Sequence, residues 1–253
     1  MAVIRTARER AREELTQEIK REARRQVAVA GAQQLSLRAV ARELGMVSSA
    51  LYRYYPSRDD LLTALIVDAY TDLAEVVERA LAGGSAGAAR GGSTAGAGPT
   101  RAERAQGARE RWRALCGAVR DWAVEHPHEY ALIYGTPVPG YHAPEETVAL
   151  ATRVPLALVD VIRGAAGHLD GAPGRPASPV LATQLTELAA RHAPELSQAV
   201  LVRAVIAWTQ LFGMISFELF GRLAGSVDPA DEFFAQAVEE MADLIGLPET
   251  PVG

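Results

Sequence analysis

Between Val47 and Arg58 the chain sets out groups suited to nucleic acid within a few helical turns, among them Ser48, Ser49, Tyr52, Tyr54 and Arg58. The hydroxyls of Tyr52 and Tyr54 can each donate to a phosphate oxygen while the rings pack on apolar neighbours. Arg58 adds a cation at the start of a helix, where backbone N–H groups already favour anions. Ser48 and Ser49 can donate or accept at several base edges, and Val47 or Ala50 can touch a thymine methyl. None of these four offers the bidentate arginine–guanine pair, so sequence readout would lean on Arg38 and on DNA shape. The two serines also fit a simpler role as helix caps.

The surrounding residues specify elements that would position this set. Ser36 can cap a helix whose apolar positions are Leu37, Val40, Ala41 and Leu44, and Gly45 can end it in a left-handed conformation. A second helix of about two turns is expected over Ser48–Tyr54, ended by Pro56. Ser57, Arg58, Asp59 and Asp60 then supply a cap and a first acidic turn for a longer helix. Two helices about a glycine turn form a helix-turn-helix, whose second helix fits the major groove. Upstream, Leu15, Ile19, Ala23, Val27 and Ala30 form a helical stripe over Ala11–Ala30, the expected first helix. Arg5, Arg8, Arg10 and Arg12 precede or open it as a basic arm, which could reach DNA or fray in solvent.

This segment resembles the TetR family of bacterial regulators. The match runs from Ser36-Leu37-Arg38 to Leu51-Tyr52-Arg53-Tyr54-Tyr55-Pro56-Ser57-Arg58-Asp59-Asp60-Leu61, with the glycine, tyrosine and basic residue at family spacing. The resemblance implies a three-helix DNA-binding domain in which Ser36, Arg38, Val47, Ser48, Ser49, Tyr52, Tyr54 and Arg58 form the DNA-facing set. It also implies a homodimer joined through the last two long helices, here about 196–223 and 229–246, and a small-molecule effector bound among helices. Trp208-Thr209-Gln210-Leu211-Phe212-Gly213 resembles the W-x-x-x-H-G motif of one carboxy-terminal subfamily, with Phe212 in the histidine place. That exchange favours an apolar or aromatic effector.

Charge distribution agrees with a local nucleic-acid contact. The net charge is −5, yet residues 1–58 hold twelve Lys/Arg against six Asp/Glu, a balance of +6 that leaves −11 for the remainder. Phosphate attraction is therefore confined to one end of the chain. The single cysteine, Cys116, excludes an internal disulfide and suits a reducing compartment. The charged amino terminus and the lack of a clean eighteen-residue apolar segment point to a soluble, cytoplasmic protein without membrane contact. No run alternates in the manner of a strand, so an all-α fold is expected. The chain carries no GxSxG, Walker or zinc-protease spacing, which argues against an enzyme.

Beyond the motif, apolar residues from Leu62 to Ala80 predict a helix of about five turns that stops at a Gly/Ala/Ser tract, a flexible linker over 83–99. Thr100-Arg101-Ala102-Glu103 is a capping box for a helix carrying Trp112, Leu115, Cys116, Val119 and Trp122 inward. Further helices are expected from Pro144 towards Ile162, from Pro179 towards Arg191, and from Leu196 to Leu223, with Gly167–Ser178 as a connection. Asp228-Pro229-Ala230-Asp231 is expected to cap the last helix. The helix after Leu196 is apolar on more than one face and needs two burial partners, a core on one side and a second subunit on the other. Trp112, Cys116, Trp122, Tyr134, Trp208 and Phe212 are the candidate effector-pocket residues, although aromatics at helical spacing serve equally as ordinary core. His126 and His128 mark a helix terminus rather than a metal site, since no further ligands cluster with them and no cofactor is implied.

These readings divide the chain into a helix-turn-helix domain over 1–58 and a helical effector-binding and dimerisation domain over 59–253. The function expected is a ligand-responsive, homodimeric DNA-binding regulator, most simply a repressor of a palindromic operator. The alternatives are a protein of the same fold that has lost operator recognition, and a regulator that needs its ligand as co-repressor.

Overall fold

Helix α1 (Ala7–Ala30) opens on a reciprocal cap: the Thr6 hydroxyl accepts from the Glu9 N–H, and the Glu9 carboxylate accepts from the Thr6 N–H at 2.8 Å. The computed structural model describes residues 6–88, 101–169 and 176–249, and every regular element among them is helical. Because the cap sits at Thr6, Arg8, Arg10 and Arg12 are residues of α1 itself and not an arm in front of it. Arg5 lies outside the described residues.

A single 3₁₀ turn (Ala32–Gln34) leads to α2 (Leu37–Glu43), capped by the Ser36 hydroxyl, which accepts from the Ala39 N–H. Gly45 follows with φ of +65°, a region that costs a residue with a Cβ energy and costs glycine little. Helix α3 (Ser48–Leu51) is shorter than the two turns expected. The Arg53 and Tyr54 N–H groups bond three residues back, to Ala50 and Leu51, so the chain tightens into turns before Pro56. Helix α4 (Arg58–Ala88) begins with another reciprocal cap, between Ser57 and Asp60. It continues through Gly83-Gly84-Ser85-Ala86-Gly87-Ala88, into the stretch expected to be linker, because extending an existing helix avoids the cost of nucleation. Residues 89–99 of that tract, and Thr100 of the expected capping box, lie outside the described residues.

Helix α5 (Arg101–Glu125) ends where expected, but a new helix starts at once: α6 (Pro127–Tyr134), with proline at its first position. The single helix expected towards Ile162 is two, α7 (Glu146–Ala151) and α8 (Arg153–Arg163). Pro155 accounts for the break, since it has no N–H for the carbonyl of Ala151. A short α9 (Ala166–Leu169) enters the expected connection. The Ser178 hydroxyl caps α10 (Pro179–His192), and Ser197 caps α11 (Gln198–Leu219), which is narrower than the 196–223 expected. In α12 (Ala230–Ile245) the cap position is Pro229, with no side-chain hydrogen bond, so Asp228 does not cap it; Asp231 and Glu232 instead face the positive end of the dipole.

The chain forms two compact units, residues 1–72 with 126–150, and 73–125 with 151–253. α4 begins at Arg58 and runs unbroken across the division between residues 72 and 73. In the first unit, Ile19 and Ala23 of α1, Val40 of α2, Leu51 of α3 and Leu61, Leu62 and Leu65 of α4 make the core, joined by Tyr55. In the second, α11 packs against α5, α8, α10 and α12, with Trp112, Leu115, Val119, Ile162, Leu211 and Ile215 fully buried. By length and composition α11 is apolar enough to cross a membrane, contrary to the expectation that no segment would be. Other helices of its unit cover part of it, while Val205, Ile206 and Phe217 remain exposed. All seven tyrosines belong to the first unit and all three tryptophans to the second.

Candidate nucleic-acid interface

The three short elements α2, the Gly45 turn and α3 present one face to solvent and anchor the other. Leu51 is fully buried, whereas Val47 is 70% and Tyr52 42% exposed, with Ser49 and Arg53 also exposed and Ser48 partly so. Val47 occupies the cap position of α3 and makes no side-chain cap, so neither serine hydroxyl is engaged in capping that helix. A bare valine methyl group and two uncommitted hydroxyls thus point outward from the first turn, where this docking geometry meets base edges. Arg38 is exposed on α2. Ser36, by contrast, is committed to its cap.

The two tyrosines divide their roles. Tyr54 is half-buried against the core of the unit, and the Arg12 guanidinium lies 5.8 Å from its ring centre. Tyr55 is the core aromatic, and burial pushes its phenol pKa up. Arg58 does something the motif did not disclose: its guanidinium donates to the carbonyls of Ala32 at 2.8 Å and Gln33 at 3.3 Å, and it meets Asp59 at 3.3 Å. It fastens the start of α4 to the turn after α1. Two other cations of the unit are also committed, Lys20 and Arg24 both closing on Asp68 at 2.7 and 2.5 Å.

The candidate effector residues fall in both units. Trp112 is fully buried and its indole N–H donates to the Val238 carbonyl at 2.9 Å, joining α5 to α12. Cys116 and Trp122 are buried on the same helix, and burial pushes the Cys116 thiol well up, which keeps it protonated and unreactive. Trp208 and Phe212 of α11 meet edge to face with ring centres 6.0 Å apart. Tyr134 belongs to the other unit, where its ring lies 5.2 Å from Tyr130 and 6.2 Å from Tyr70.

Sequence patterns gave no sign of the arginines that brace the second unit. Arg109, almost wholly buried, donates to Glu239 at 2.9 Å, Asp243 at 2.5 Å and the Leu247 carbonyl at 3.1 Å. Arg120 spans α11 and α12 through Glu218 at 2.6 Å and Asp231 at 2.5 Å, its guanidinium 4.8 Å from the Phe234 ring centre. The arginine–carboxylate spacing of i to i+130 has no local signature, and only an excess of arginines on a buried helix could have hinted at it.

An all-helical chain with a helix-turn-helix at one end and a larger helical body defines a class, that of DNA-binding transcriptional regulators. Residues 19–65 match the family model for bacterial regulatory proteins of the tetR family, and residues 112–241 match that of the tetracyclin repressor-like carboxy-terminal domain. The HTH-type transcriptional regulator Rv1816 of Mycobacterium tuberculosis is 39% identical over 236 residues, covering 89% of this chain and 90% of its own length. A regulator of Mycobacterium bovis, Mb1846, matches to the same extent. The solved structure of SCO4313, described as a regulatory protein, superposes with a TM-score of 0.69 at 32% identity, covering 94% of this chain and all of that one. The TetR family regulator PfmR from Thermus thermophilus shares the fold, with a TM-score of 0.51 at 18% identity over 91% of this chain and 99% of its own. The chain belongs to the TetR family of bacterial DNA-binding transcriptional regulators, whose members here are not enzymes.

Proposed function

We propose that this regulator works as a homodimeric repressor that occupies a near-palindromic operator and is released by a small apolar or aromatic effector. The observation that carries the reading is the outward face of α3, where Val47 and the unused hydroxyls of Ser48 and Ser49 stand beside exposed Tyr52. In this reading residues 1–58 read DNA: Val47, Ser48 and Ser49 meet base edges, and Tyr52, Tyr54 and Arg38 meet the backbone or flanking edges. Ser36 and Arg58 hold the face in register, Arg58 reaching a phosphate only with whatever donors its carbonyl contacts leave over.

Residues 59–253 supply dimerisation and effector response. Ile206 and Phe217 of α11 and Phe220 at its carboxy-terminal cap are 46–57% exposed and recur at helical spacing, with Leu244 of α12 also exposed. Covering such a stripe with its own copy would place two recognition helices on half-sites about 34–36 Å apart or a multiple of it. The effector would lie among Trp112, Cys116, Trp122, Trp208 and Phe212 of the second unit, in surroundings that reward apolar and aromatic surface. Release requires the effector to bind the non-matching dimer more tightly than the operator-bound one.

Selection of duplexes from a random pool by the purified protein tests this reading, with Tyr52→Ala in parallel. The expected result is an enriched inverted repeat that Tyr52→Ala recovers weakly or not at all, and a Ser48→Ala variant should shift preference at particular positions. Absence of any enriched repeat overturns operator recognition by this face.

A further inference from the structure

Three arginines near the recognition helix meet at one cleft. Arg8 and Arg12 stand one turn apart on α1, and Arg53 follows α3; together with Tyr54, Leu15 and Met46 they line an open cleft of about 490 Å³. Among the described residues, no carboxylate pairs with Arg8, Arg12 or Arg53. Lys20 and Arg24 further along α1 close on Asp68, and Arg25 closes on Glu22 at 2.7 Å. The nearest acid to Arg8, Glu9, is turned to the Thr6 N–H by the capping box. Like charges converging on one cleft repel one another unless an anion joins them.

We infer that this cleft holds the sugar–phosphate strand bordering the major groove that α3 enters, with Arg8, Arg12 and Arg53 as positioning residues. The inference rests on the operator-binding reading above and adds a second, sequence-blind contact to it. Three features favour a polyanionic strand over a small free anion. At about 490 Å³ the open cleft has room for more than one charged group, two of its cations are spaced along a helix, and Leu15 and Met46 in its lining offer apolar surface of the kind a sugar packs on. It also shares Arg53 and Tyr54 with the recognition segment, so a duplex seated on α3 meets it without leaving the unit. Arg12, held over the Tyr54 ring, carries its charge beside a hydroxyl that can reach the same strand.

The test compares the full-length protein with Arg8→Gln/Arg12→Gln on the selected duplex and on an unrelated duplex of equal length, across a salt series. Each lost phosphate contact should lower the slope of log K against log salt by about 0.9, so the double variant should flatten it by about 1.8 per subunit, or about 3.6 for a dimer. At about 0.1 M salt the affinity should fall roughly tenfold per contact, equally for both duplexes, leaving the preference between them unchanged. Arg8→Lys/Arg12→Lys should keep most of the slope, because it keeps the charge. An unchanged slope in the Gln variant, with wild-type protein still preferring the selected duplex, overturns the cleft while operator recognition stands. Loss of preference with an unchanged slope would assign the two arginines to base readout and also overturn it. If the wild-type protein prefers no duplex, the underlying reading fails first.

Discussion

Arginines of the two units are used in opposite ways. In the second unit Arg109, Arg113 and Arg120 are each closed by carboxylates of α11 or α12, and Arg109 is buried with its carbonyl partners as well. In the first unit Arg8, Arg12 and Arg53 face a cleft with no carboxylate among the described residues to neutralise them. One set makes helix-to-helix fasteners, and the other keeps its charge available. The contrast explains how a chain of net charge −5 can serve DNA: several arginines of the larger unit are closed by that unit's own acids, while the smaller unit leaves cations over.

Variants can break or sharpen this contrast. The largest effect is expected for Arg109→Met, which leaves Glu239, Asp243 and the Leu247 carbonyl without their donor; unfolding in urea should show a loss of about 3 kcal/mol. A loss below about 1 kcal/mol would mean that the fastener is ornamental. Next comes Arg58→Ala, which decides to which set Arg58 belongs. Loss of its two carbonyl contacts should cost about 1.5 kcal/mol in the same assay. Full stability with weakened DNA binding would instead place it with the available cations.

A smaller effect, with a distinctive pH signature, is expected for Glu239→Gln. Hydrogen bonds from Arg113 and then Arg109 hold the Glu239 carboxyl below the usual glutamate range, against the opposing influence of burial. The native state therefore binds fewer protons there than the unfolded chain. The stabilisation is complete above the ordinary glutamate pKa and is lost as pH falls through the lowered native value. The variant should be about 1 kcal/mol less stable at neutral pH and show a shallower decline in that acid window. An identical acid decline would assign the proton uptake to other carboxylates. Smallest of all, Arg8→Gln/Arg12→Gln should change unfolding stability by less than about 0.5 kcal/mol, since neither side chain pairs with a carboxylate among the described residues and Arg12 makes only a long ring contact to Tyr54. A larger loss would show that the cleft arginines are structural after all.

What the sequence disclosed and what it hid divide along the same line as local and distant causes. Ser36, Gly45, Ser178 and Ser197 announce helix ends within a few residues of themselves, and each sits where such a signal places it. Thr6 and Glu9 carry a capping signal of the same kind, but the arginine run around them reads more readily as a loose arm. Pro155 likewise marks the break between α7 and α8, although the apolar pattern runs straight through it. Arg58 and Trp112 were legible only as types, a cation for phosphate and an aromatic for a pocket. Their actual partners, the Ala32 and Val238 carbonyls, come from elements distant in the chain, and no periodicity encodes them.

The separation of aromatic residues between the two units has an optical consequence. Excitation at the red edge of the absorption band, where tyrosine is transparent, would light only Trp112, Trp122 and Trp208, and so only the second unit. The first unit is silent at that wavelength, because its ring chromophores other than phenylalanine and histidine are all tyrosines. Trp112, dry and hydrogen-bonded to α12, should emit to the blue and shift red when that contact opens. The native chain is therefore its own reporter: titrating a candidate effector reads the larger unit without a label, and a tryptophan placed in the other unit would read the duplex separately.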